Sequence, residues 1–249
     1  MARNTNTNET SSTPKRKFGV NVKNIPDAMP TIPDGVYIGD ITGASVMGKG
    51  DKSYINVVPE TQWDKDAVNE KSGKTGSFVP TGDYIIQGDI YYRITLKSEE
   101  QSEPLPMDEM TIPMGRVKLF FNKEDYSFSE DVDSYGPVNR VFKQFIEASG
   151  LPLEVLDEIN EAVSYTGEDE IEVPEELQDV PNIVEMLHYV NFYREYFSLV
   201  CEQINGRKVR AKIKEEKNYR DPSQMANVVD TGNYNSFSGI LPLEEKTEV

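Results

Sequence analysis

Alternation of apolar and polar residues predicts β-strands over much of the chain. Residues 84–96 and 115–121 alternate with a period of two, as half-buried strands do. Residues 208–214 alternate small or branched apolar residues with cations. Turn residues at 33–35 and a glycine-rich segment at 47–52 separate the strands and are typical of hairpins. The pattern therefore predicts an antiparallel β-structure, and no regular element is predicted in the polar stretch 60–75.

Helical spacing replaces this alternation after Gly136-Pro137. Apolar residues from Val138 to Ile146 recur at the three- and four-residue spacing of an amphipathic helix, and Gly150 supplies a C-terminal stop. Residues 153–163 and 181–204 also read as helices. The aromatic residues that crowd the second of these segments more often pack in a core or against a partner than line a ligand site.

The two ends of the chain differ from its centre. Residues 1–31 are polar, lack hydrophobic periodicity and carry a basic triplet, so we predict a flexible basic arm. Residues 32–229 are predicted to form one α+β domain, a small antiparallel β-barrel like the oligonucleotide-binding (OB) fold, with a helical, acidic insertion at about 153–203. Residues 230–249 are predicted to be a flexible acidic tail.

Charge is distributed unevenly along the chain. The formal net charge is −17, which argues against a protein that coats nucleic acid with its whole surface. About a dozen Asp and Glu lie between residues 154 and 185 without a Lys or Arg, and an acidic block of this kind is most often a solvated face. Residues 207–220 hold seven cations against two acids. A nucleic-acid site is therefore expected to be local.

Catalytic and metal-binding patterns are weak. Gly73-Lys74-Thr75 resembles the end of a phosphate-binding loop, but Val68 stands where that loop needs glycine. His188 lies in the aromatic helix and is better explained as a half-buried structural residue than as a catalytic base, and Cys201 is the only cysteine. We predict a non-catalytic protein without metal or cofactor, although two-metal nucleases can look equally diffuse in sequence.

Neither a signal-peptide core nor a run of apolar residues long enough to span a bilayer is present in the sequence. We therefore expect a cytoplasmic protein that does not contact membranes.

Cations and aromatic rings recur on the polar faces of the predicted strands. Single-stranded nucleic acid binds where a cationic groove follows the phosphates and exposed rings stack on bases. The competing interpretation, which the pattern favours equally, is an ordinary solvated strand face on which lysines guard an edge. The residues expected on a common face are Tyr91, Arg93, Lys118, Phe120, Lys208, Arg210, Lys212 and Lys214, followed by Tyr219 and Arg220.

Several short motifs resemble a family of bacteriophage single-stranded-DNA-binding proteins. They are residues 32–37, the glycine-rich hairpin, the strand from Gly115-Arg116, the helix that closes at residues 148–151, and residues 204–209 followed by Tyr219 and Asn227. The resemblance implies an OB-like barrel, a role in phage DNA replication or recombination, and the cytoplasm of an infected bacterium. It also implies replication or recombination proteins as partners of the acidic tail or helical insertion, although this tail ends in Val249 without a terminal aromatic residue.

The sequence hypothesis is therefore a single-stranded-DNA-binding protein, with self-association left open. Its rival is a structural or adaptor protein, such as a virion component, that does not bind nucleic acid. The hypothesis depends on the cations after Gly206 facing open solvent rather than being neutralised by the chain's own carboxylates.

Overall fold

The computed structural model describes residues 30–46, 55–69, 73–97, 105–106, 109–128, 136–163, 170–218, 221–230 and 239–243. These residues form strands and helices in a mixed order along the chain. The strands are β1 (Gly35–Ser45), β2 (Asn56–Val68), β3 (Thr75–Lys97), β4 (Glu109–Phe120), β5 (Lys208–Lys217), β6 (Met225–Val229) and β7 (Ile240–Leu241). The helices are α1 (Gly136–Ala148), α2 (Leu153–Ala162) and α3 (Ile183–Ile204), with a short 3₁₀ helix at Glu175–Leu177.

The seven strands form one antiparallel sheet in the order β2-β3-β1-β5-β6, with β4 on the second edge of β3 and β7 on β5. Strand β3 is 23 residues long and organises this arrangement. Its first half pairs with β2, and its second half lies between β1 and β4. A register shift between Thr42 and Ser45, where Gly43 has φ +61°, marks a bulge in β1.

The helices cover the apolar face of the sheet. The ring of Phe145 in α1 lies 4.8 Å from that of Tyr92 in β3, and Phe197 in α3 packs on Phe121 just after β4. Helix α1 ends at Ala148, and Gly150 just beyond it adopts φ +67°. This is the C-terminal stop that the sequence predicts. The acidic helical segment therefore contributes its apolar side to the main core while its carboxylates face outward.

Two asparagine side chains tie distant segments to the sheet. Asn205, just after α3, accepts a hydrogen bond from the Ala44 N–H and donates one to the Ala44 carbonyl, at 2.8 and 3.1 Å. Asn227 in β6 makes the same pair of bonds to the backbone of Ile32, both at 2.8 Å, and is buried. Each amide replaces a missing strand neighbour for an otherwise unpaired peptide group.

The α+β class and the three predicted helices are confirmed, but a closed barrel is not. Among the described residues, β4 and β6 approach within 8 Å between Cα atoms without pairing, so the sheet stays open there. Helix α1 contacts both β4 and β7 beside this gap. Helix α3 is 22 residues long, and no described helix is apolar enough over a sufficient length to cross a bilayer.

Two segments differ from the sequence prediction. The described part of the polar stretch 60–75 contains regular structure, since β2 continues to Val68 and β3 begins at Thr75. Residues 61–68 of β2 pair with residues 75–80 of β3 in a hairpin that we call the arm. Within the predicted C-terminal tail, Ile240–Leu241 forms β7 and Ile240 is buried. Residues 1–29, 231–238 and 244–249, which hold the rest of the predicted flexible N-terminal segment and C-terminal tail, lie outside the described residues.

Candidate nucleic-acid interface

Strand register brings most of the predicted site residues onto one face of the sheet. Tyr91 in β3 pairs with Arg116 in β4, and Arg93 pairs with Thr42 in β1. On the other edge of β1, Asp40 pairs with Lys208. Because side chains at paired positions share a face, the polar positions of β4, β3, β1 and β5 form a continuous surface opposite the helices. We call it the outer face.

The outer face carries cations from three of its four strands. Arg93, Lys118 and Lys208 make no hydrogen bond or ion pair with any residue that the structure describes. Two further cations, Lys97 and Arg116, lie in phase with the predicted ones, so the same alternation could have identified them. The cations of the face are Arg93, Lys97, Arg116, Lys118, Lys208, Arg210, Lys212 and Lys214. Tyr219 and Arg220, which were also predicted, lie outside the described residues.

Strand β5 is partly neutralised by the chain itself. Lys212 and Lys214 lie 3.3 and 3.6 Å from the Asp230 carboxylate, and Lys214 is also 3.3 Å from Glu216. The hydrogen bond to Glu216 raises the pKa of Lys214 above its ordinary value. Both lysine side chains nevertheless remain 47% and 40% exposed. The expectation that these cations stand free of carboxylates is therefore wrong for Lys212 and Lys214.

Arg210 makes a hydrogen bond to the backbone near the last described strand. Its Nε donates a hydrogen bond of 3.0 Å to the Pro242 carbonyl, just after β7. A carbonyl oxygen leaves the guanidinium charge in place, because only an anion could neutralise it.

Two acidic residues lie among the cations of the outer face: Asp40, whose carboxylate is 3.0 Å from Nζ of Lys97, and Asp89 at its centre. Asp89 is a neighbour of Lys118 by register, and its side chain is only 14% exposed. Its nearest cation is the Arg116 Nε at 3.7 Å, which is too long for a hydrogen bond. Burial raises the pKa of Asp89, while Arg116 and Lys118 act in the opposite direction. A carboxylate in this position opposes the binding of a phosphate nearby.

The aromatic rings predicted on the outer face are less accessible than expected. Tyr91 and Phe120 are both half-buried between their strand neighbours. The widely exposed rings lie instead on the arm, where Trp63 and Phe78 are 60% and 64% exposed. These two rings leave no periodic signal in the sequence, because the surrounding residues are polar on both faces and show no alternation. The sole tryptophan of the chain, in a polar segment, was the available signal.

A second unusual feature is an aromatic cavity among the three helices and the turn after β4. It has a volume of about 200 Å³ and is lined by rings and one polar side chain. The lining residues are Phe128, Phe142, Asn160, Phe192, Tyr193, Tyr196 and Phe197. Tyr193 donates a hydrogen bond of 2.8 Å to the Tyr126 carbonyl, which fixes the position of that ring.

Cys201 and His188, the sole cysteine and histidine of the chain, both lie in α3. Cys201 is buried in α3, which raises the pKa of its thiol to about 12, and a thiol in this state is a poor nucleophile. His188 is half-buried in the same helix. Within the described ranges no cluster of three His, Cys, Asp or Glu side chains has the arrangement of a metal site.

The chain was also compared with known proteins. No protein-family model, no curated protein and no solved structure matches it.

Proposed function

We propose that the chain is a non-catalytic single-stranded-DNA-binding protein that holds the phosphate backbone along its outer face. The observation that carries this proposal is the convergence of cations from β3, β4 and β5 on one sheet surface of a chain whose net charge is −17. A local cationic surface on an acidic protein guides a polyanion to one face and repels it elsewhere.

The ion pairs on β5 reduce this charge without removing it. Lys212 and Lys214 both pair with Asp230, Lys214 also pairs with Glu216, and the two lysine side chains remain accessible. An exposed ion pair contributes about 0–1 kcal/mol, so exchanging a carboxylate for a phosphate costs little. The first contacts are expected at Arg93, Lys118 and Lys208, and the β5 lysines add to them once a phosphate displaces Asp230.

The remaining features of the proposal come from the resemblance to phage proteins. We place the protein in the cytoplasm of an infected bacterium, in DNA replication or recombination. The acidic tail or the helical segment would contact other replication proteins. The open sheet, with α1 beside the gap between β4 and β6, is proposed to be a variant of the OB architecture in which the edges do not pair.

The proposal is tested by titrating a fluorescent oligo(dT) with the full chain at several salt concentrations and measuring anisotropy. Binding is expected to weaken linearly with the logarithm of salt concentration, because each neutralised phosphate releases a condensed counterion. A duplex of the same sequence serves as the comparison and should bind less tightly. Affinity that is micromolar or weaker at low salt and does not change with salt would refute the proposal.

Protein binding is the second candidate function, and the aromatic cavity favours it. A cavity of about 200 Å³ lined by six rings could accept an apolar side chain of a partner. Helix α2, which contributes Asn160 to the lining, carries Glu154 in its first turn. This adaptor role is compatible with DNA binding at the opposite face, and it becomes the main function if the oligonucleotide titration fails.

A further inference from the structure

The arm is a two-stranded hairpin that extends beyond the main sheet. Trp63 and Phe78 face each other across β2 and β3, and their rings meet edge to face at 5.2 Å with an angle of 71° between planes. An isolated two-stranded hairpin is only marginally stable in water. A hairpin that also exposes two large rings is expected to gain stability from a binding partner.

Gly76 holds the indole against the backbone. A Cβ atom at this position would lie 2.5 Å from Cζ2 of Trp63, so any side chain would push the ring away. Gly76 also adopts φ +88°, a conformation that favours glycine. One face of the indole therefore lies on the strand, which limits the motion of the ring while leaving much of it exposed to solvent.

An accessible aromatic ring that lies against the strand backbone is well suited to stack on a nucleobase. Every base has a π-face, so stacking tolerates any sequence and adds to phosphate binding by cations. One strand joins the arm to the main sheet, since β3 carries Phe78 in the arm and Arg93 in the sheet. Strand β4 begins to pair with β3 at Gln87. At about 3.3 Å per residue, Phe78 lies about 30 Å along β3 from this position.

We infer that the Trp63–Phe78 pair is a base-stacking site for single-stranded DNA whose backbone is bound on the outer face. This inference rests on the proposed function and assigns a second contact to the same ligand. The cations of the outer face would bind the phosphates. The arm would provide the exposed rings for stacking, since Tyr91 and Phe120 on the outer face are half-buried.

Trp63 is the only tryptophan, so its fluorescence reports directly on this site. A 20-nucleotide oligo(dT) is expected to quench the Trp63 emission of the full chain. An abasic deoxyribose-phosphate chain of equal length carries the charge without the bases, and it is expected to bind without quenching. Anisotropy measured in parallel shows whether either chain binds.

Variants then separate the rings from general effects on the arm. Phe78→Ala retains the reporter and is expected to weaken oligo(dT) binding about 5- to 150-fold, the range for one stacked ring. Trp63→Phe retains a ring and should preserve most of the affinity, whereas Trp63→Ala should not. Val68→Ala is the matched control, since Val68 is an equally exposed apolar residue of the arm without a ring, at 61%.

The outcomes distinguish this inference from the proposed function. Oligo(dT) binding without quenching, or with no loss in Phe78→Ala and Trp63→Ala, overturns the stacking site and leaves the proposed function standing. The absence of any binding overturns both. A Trp63 emission that shifts with protein concentration in the absence of DNA, together with a dimer on gel filtration that Trp63→Ala abolishes, assigns the arm to a second copy of the chain and also overturns the stacking site.

Discussion

Arg93 and Lys208 offer the most direct test of the outer face. They lie on the two strands that flank β1, and neither makes an ion pair with a described carboxylate. Replacing both by glutamine removes two positive charges and should leave the fold intact, because both side chains are exposed. Their loss should therefore act on phosphate binding rather than on stability.

The size of the effect follows from counterion release. Each phosphate contact on a single strand contributes about 0.7 to the slope of log affinity against log salt, so two contacts contribute about 1.4. At 0.1 M salt this corresponds to roughly 25-fold weaker binding. The loss should grow as the salt concentration falls.

The assay is anisotropy with oligo(dT) between about 0.05 and 0.3 M salt, a range in which counterion release is measurable. The matched control is the double variant Arg140→Gln/Lys143→Gln, which makes the same change in net charge on the exposed side of α1. It should change affinity less than twofold, a difference close to the error of the measurement. Equal losses in the two double variants, or an unchanged slope in the Arg93 and Lys208 variant, would refute the assignment of the outer face.

Three further predictions concern single residues. Asp89→Asn should raise the melting temperature at pH 7 and tighten DNA binding, because burial raises the folded-state pKa of Asp89 and its charged form therefore costs stability. That thermal gain should shrink as the pH falls toward 4, which melting curves across this range would check. Gly115→Ala should cost about 1–3 kcal/mol in urea denaturation, since a Cβ would lie 2.0 Å from Cζ of the buried Tyr92. Asn227→Ala should cost about 1–3 kcal/mol by the same measurement, because it leaves the buried Ile32 peptide groups without their side-chain partner, and a loss below 0.5 kcal/mol would contradict this.

Local sequence predicted the elements whose pattern reflects burial. β5 alternates because one side of Lys208–Lys217 packs in the core, with Val209, Ala211 and Ile213 buried and the cations between them outside. Helix α1 was predicted for the same reason, since its apolar stripe covers the sheet. Residues that share a burial requirement leave a periodic signal, and the outer-face cations were found from that signal.

The arm and the ion pairs depend on contacts that a periodic signal does not contain. Both faces of the arm meet solvent, so Gln62 and Asp64 are as acceptable there as Trp63, and no alternation arises. Asp230 reaches Lys212 and Lys214 because β6 pairs beside β5. A carboxylate after an ordinary strand gives no indication of which cation it will meet. The alternation therefore predicted which residues share the outer face, but it did not predict that Lys212 and Lys214 form ion pairs there.

Strand β3 sets the phase of the arm as well as that of the sheet. Between the two parts, Pro59 pairs with Tyr84 while Thr61 pairs with Pro80, and Gly82 in the extra length has φ +96°. Side chains alternate between the two sides of a strand, so one residue inserted in this connection would move the Phe78 side chain to the opposite side of the ribbon and put Val79 in its place. A second inserted residue would return Phe78 to its original side. The number of residues between Pro80 and Tyr84, more than their chemical type, thus determines which side of the ribbon the Phe78 ring occupies.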